Sequence, residues 1–80
     1  MSNNNNHAGV VVHIREDLKQ DQISLLESSL GNDEGVKSAK INPDRKHLML
    51  IDYMPGVISA RQVLNYVTNK GYNAALVGWI

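Results

Sequence analysis

The sequence predicts an α+β fold, a βαββαβ two-layer sandwich in which a four-stranded antiparallel sheet carries both helices on one face. Three observations predict it. Residues 10–14 and 47–53 are short β-branched or aliphatic runs of strand length. Two other stretches space apolar residues at helical period, each with a glycine at its end. Between the second and third strands, Asn42-Pro43-Asp44-Arg45 is a turn, because proline pre-sets the backbone and Asn and Asp bond their own chain.

Residues 1–8 contain four consecutive asparagines, Asn3 to Asn6, a run with nothing to bury, so they read as a disordered tail; residues 9–80 are expected to form one domain. Val10, Val12 and Ile14 are the inward set of a central first strand. Asp17 is the expected cap of the first helix, with Gln20 as its capping-box partner and Asp21 as a later alternative. Leu18, Ile23, Leu26 and Leu30 make the helix's apolar stripe, which Leu25 widens. Gly31-Asn32 is expected to stop it through the left-handed conformation both residues tolerate.

Val36, Ala39 and Ile41 mark the second strand, which pairs as a hairpin with the third. Ser59 and Gln62 form a capping box for the second helix, with Ile58 and Val63 at staple spacing. Ala60, Val63, Leu64 and Val67 share its apolar face, and Gly71 terminates it. Residues 72–80 supply the last strand. Each helix joins two strands, so right-handed crossovers give a ferredoxin-like arrangement.

Composition narrows the function. Eighty residues allow one modest core, and eight basic residues balance eight acidic ones. A neutral chain with scattered basic residues is not expected to bind nucleic acid or an anionic membrane. No apolar run spans a bilayer, and the polar start is not a secretory signal, so the expected location is cytoplasmic. There is no cysteine. Ser24, Ser28, Ser29, Ser38 and Ser59 fall in helices, a strand or a cap and form no nucleophile–base pair with recognisable context, so no catalytic residue is expected. Glu16, Asp17 and Asp21 lack the loop length, glycine and ligand count of a calcium site.

Several segments together resemble the heavy-metal-associated domain, the family of copper chaperones, mercury-binding proteins and the N-terminal modules of metal-pumping ATPases. They are Leu26-Glu27-Ser28-Ser29-Leu30, Gly35-Val36-Lys37-Ser38-Ala39-Lys40-Ile41-Asn42, Tyr53-Met54-Pro55, and Val63-Leu64-Asn65-Tyr66-Val67 closing on Lys70-Gly71-Tyr72. The resemblance implies a Gly-Met-Thr-Cys-x-x-Cys motif before the first helix, where two thiolates hold a soft cation. In this chain the two cysteine positions fall on Lys19 and Gln22 and the methionine position on Asp17, so none of the motif survives. Tyr72 matches the family's aromatic near the metal loop.

The expected role is therefore a non-catalytic protein-interaction or regulatory module without a cofactor, paired with a protein partner or with itself as a dimer or higher assembly. The alternative is a copper or zinc ion held by non-cysteine ligands. His13 and His47 are its main candidates because they fall on adjacent central strands, with His7, Met49 and Met54 in reserve. No His-x-x-x-His spacing links them, and a surface histidine is the ordinary reading. The run Leu48-Met49-Leu50-Ile51 must turn one pair of side chains away from the helices. Met49 and Ile51, with Val11 and the terminal Trp79 and Ile80, are the expected interface, unless the C-terminal residues fold back over that face.

Overall fold

A computed structural model describes residues 7–79. The elements run β1 (Ala8–Ile14), α1 (Gln20–Gly31), β2 (Val36–Ile41), β3 (Leu48–Tyr53), α2 (Ala60–Asn69) and β4 (Ala74–Trp79). The sheet is antiparallel throughout, in the order β2-β3-β1-β4. This is the expected ferredoxin-like sandwich, with α1 lying over β2 and α2 towards β4. Asn3 to Asn6 and Ile80 lie outside the described residues. Strand structure begins at Ala8, inside the segment expected to be tail.

Period-two alternation builds the core. Val10, Val12 and Ile14 of β1 are fully buried, and the β3 residues opposite the first two are Ile51 and Met49. Directly opposed residues share a sheet face, so Met49 and Ile51 join the helix-covered core and are fully buried. The expected phase of β3 is therefore corrected: Leu48 and Leu50 point away, and Met49 and Ile51 belong to no interface. Four consecutive apolar residues cannot specify their own phase, and pairing with β1 decides it.

A bulge between Val36 and Ser38 accounts for β2. Val36 and Ala39 are both buried although three residues apart, because the extra residue restores the facing order. At this sheet edge the Glu27 carboxylate accepts from the Ile41 N–H at 2.8 Å, covering a backbone donor that no strand partner takes.

Helix α1 starts later than expected. Its N-cap is Lys19, in extended conformation, and neither Asp17 nor Asp21 fills that role. The Gln22 side chain accepts from the Lys19 N–H at 2.9 Å, and Asp21 accepts from the Gln22 N–H at 3.0 Å. Ile23, Leu26 and Leu30 form the buried stripe, whereas Leu25 points to solvent and does not widen it. The helix ends without a left-handed residue at Gly31-Asn32: Asn32 has φ −93°, and the reversal falls at Gly35, φ +85°. There a Cβ would meet the Ile58 side chain at 2.8 to 3.0 Å.

Helix α2 follows its sequence signals closely. Ser59 accepts from the Gln62 N–H at 3.2 Å, and Gln62 accepts from the Ser59 N–H at 2.8 Å. Ile58 and Val63 are buried on either side of this box, and Gly71 ends the helix at φ +99°.

Candidate functional site

The loop between β1 and α1 holds the positions at which the family resemblance places metal ligands. Two of its side chains, Glu16 and Asp17, reach other parts of the fold. Glu16 reaches the start of β4, where its carboxylate accepts from the Asn73 N–H at 2.9 Å and from the Asn73 side-chain amide at 2.8 Å. The Arg15 N–H donates to the Asn73 carbonyl at 2.8 Å, so Asn73 is gripped from both sides. The Asn73 backbone N–H is the main cause that holds the Glu16 carboxyl below the usual glutamate range.

Asp17 is held by His47. The Asp17 carboxylate lies 2.9 Å from His47 Nε2, while His47 Nδ1 lies 2.6 Å from the Ile14 carbonyl. The Ile14 N–H donates to the His47 carbonyl at 2.7 Å. The imidazole thus takes the place of a backbone N–H at the last rung of the β1–β3 ladder. His13 stacks on this ring, with centroids 5.6 Å apart and planes 20° from parallel.

His13 and His47, the ligands of the alternative reading, do lie side by side, in a form unsuited to a shared ion. Imidazole lone pairs lie in the ring plane, and two nearly parallel planes do not aim theirs at one point. Both His47 nitrogens also face protein oxygens. His7 precedes β1 and Met54 follows β3, which places both at the opposite end of the sheet, where Ala8 pairs with Tyr53. Met49 is in the core. Among the described residues, no three His, Cys, Asp or Glu side chains gather as a metal-ligand group.

Lys19 and Gln22 stand at the N-cap and first turn of α1. Helix N-termini favour negative charge, which Asp21 supplies in this turn; at the two ligand positions themselves stand an ammonium and a neutral amide whose oxygen is already used in the cap. Tyr72 lies further along α1, in a shallow groove with Leu25, Leu26, Ser29 and Lys70.

The second candidate surface is the sheet face without helices. Cross-strand pairing sets Lys40, Leu50, Val11 and Gly78 in one row. Leu48 pairs with His13 and Asp52 with Ser38 on the same face. Leu50 is 39% exposed and Val77 55%. Trp79 is 68% exposed, but a register shift after Val11 sets it opposite Val10 at the rim of the helix-bearing side. The sequence reading missed Leu48, Leu50 and Val77 on this face, and it missed the Glu16–Asn73 clamp. Period-two alternation signals the first group once the phase of β3 is known; a contact across 57 positions leaves no local signal.

No protein-family model matches this sequence, and no curated protein matches it. Solved structures do. A copper-binding domain from HMA7, a P-type ATPase, superposes with TM-score 0.80 at 14% identity, covering 90% of this chain and 96% of that one. The N-terminal domain of a potential copper-translocating P-type ATPase from Bacillus subtilis, in its Cu(I)-loaded state, gives 0.78 at 22% identity, covering 92% and 91%. The CopZ metallochaperone gives 0.72 at 21%, covering 84% and 98%. The chain has the fold of these copper domains, as the heavy-metal-associated resemblance implied, in a sequence with no cysteine.

Proposed function

We propose that this domain is a non-catalytic, cytoplasmic protein-interaction module that keeps the architecture of metal-handling domains without handling metal. The observation that carries the reading is the closure of the first turn of α1, where the Gln22 side chain accepts from the Lys19 N–H. At the two positions of soft anionic sulfur donors stand a cation and a spent amide, and the cation adds repulsion to the loss of ligands. The exposed apolar side chains on the helix-free sheet face supply a docking surface in its stead.

A second reading keeps a copper or zinc ion on His13 and His47. It is favoured by the proximity of the two rings. Binding there requires His47 to release the Ile14 carbonyl and Asp17, and His13 to rotate out of the stack.

Titration of Cu(I) and of Zn(II) under reducing conditions against a competing chelator separates the two. The wild-type chain is expected to show no stoichiometric site, and the double substitution Lys19→Cys with Gln22→Cys is expected to gain one for Cu(I). A tight wild-type site that disappears in His13→Ala would overturn the interaction reading.

A further inference from the structure

We infer that the helix-free sheet face pairs with the same face of a second copy of this chain across a twofold axis, Lys40 of each copy meeting Asp52 of the other. The inference rests on the interaction reading above and names the partner.

A twofold interface must be self-complementary, and this face carries both charges that such pairing needs. Lys40 on β2 and Asp52 on β3 stand diagonally across one strand gap, since Lys40 pairs with Leu50 and Ser38 with Asp52. The close contacts between basic and acidic side chains among the described residues are His47–Asp17 and Lys70–Asp33, so neither Lys40 nor Asp52 is spent within the chain. Asp52 accepts one hydrogen bond, from the Ser38 hydroxyl at 3.3 Å.

Strands about 4.8 Å apart with a rise of about 3.3 Å per residue fix where the axis must run. An axis midway between Lys40 and Asp52, perpendicular to the line joining them, passes along Leu50 and Val11 and leaves β4 near Ala75. Each of these apolar residues then packs on its own counterpart, and His13 faces the Val77–Gly78 end of the other copy. Charge pairing and apolar matching select the same axis. The strands of the two sheets cross at about 70° in this arrangement, near the orthogonal class of sheet packing.

The size of the face sets the strength. Four strands of about six residues cover roughly 400 Å² of flat area. Two such faces hide somewhat less than the roughly 1,000 Å² that marks a durable specific interface, before the corrugation of the side chains adds to it. The expected assembly is a reversible dimer at micromolar to millimolar concentration.

Sedimentation equilibrium from about 10 µM to 1 mM tests this, with far-ultraviolet circular dichroism to verify that each variant folds. The wild-type mass should rise from 8.9 kDa towards twice that value. Leu50→Asp should stay monomeric. Lys40→Glu and Asp52→Lys should each stay monomeric alone, since each sets like charges face to face. Their equimolar mixture should dimerise, as should the double variant, because both restore opposite charges. A wild-type chain that is monomeric throughout overturns the proposal, and so does a dimer indifferent to Leu50→Asp or to the single charge reversals. A monomer without a metal site refutes the dimer and leaves the interaction reading standing. A tight metal site refutes that reading whatever the mass.

Discussion

Replacing His47 with leucine removes the ring N–H that ends the β1–β3 ladder and leaves the Ile14 carbonyl without its side-chain donor. Ile14 is fully buried, so water cannot take over that role. Stranding a buried acceptor costs about 1–3 kcal/mol. The same ring also faces Asp17, but the Asp17 side chain is 97% exposed, and a solvent-screened pair of this kind contributes little. The two halves of one histidine's contacts should therefore weigh very differently. His47→Leu is expected to cost about 1–3 kcal/mol, lowering the melting temperature of a domain this size by roughly 4–8 °C per kcal/mol. Asp17→Ala should leave stability nearly unchanged. Urea denaturation of the two variants and of the double variant measures both terms and their coupling. If Asp17→Ala costs as much as His47→Leu, the ion pair anchors the loop and the carbonyl bond does not.

Two further outcomes follow from single positions. Gly35→Ala should destabilise more than Gly71→Ala: both lie at positive φ, which costs a residue with a side chain about 1–2 kcal/mol, but only at Gly35 must the new Cβ also displace Ile58. Equal losses in thermal melts would show that Ile58 yields freely. Glu16, whose folded carboxyl is held below its unfolded value, adds stability above the ordinary carboxylate range and loses it as pH falls through the depressed value. The stability gap between wild type and Glu16→Gln, followed by denaturation across acid pH, should therefore be widest near neutrality and close in acid. A gap that stays constant with pH would assign the Glu16–Asn73 clamp to shape rather than charge.

Sequence carried the elements that are encoded locally. The α2 box of Ser59 and Gln62 and the terminating Gly71 depend on neighbours a few positions apart, and all three act as their spacing implies. The start of α1 was misread because Asp17 is a strong cap by type, yet the chain stays extended through Lys19, where the Gln22 side chain closes the first turn. The bulge in β2 was written in the odd spacing of Val36 and Ala39, which period two alone does not explain. The candidate site divides in the same way. A family resemblance indicated Lys19 and Gln22 as the vacated ligand positions, but the hydrogen bonds that close the loop run to Asn73 and His47, across the sheet. The phase of β3 needed a partner strand, so the residues on the open face could be named only once the register was known.

Gln22 closes the first turn of α1 with an uncharged amide that neither oxidises nor titrates in the biological range. The shape of that turn is accordingly constitutive. An oxidant finds no thiol there to convert. On the interaction reading proposed above, a partner that docks at this end of the domain would meet the same surface in a metal-starved cell as in a metal-loaded one.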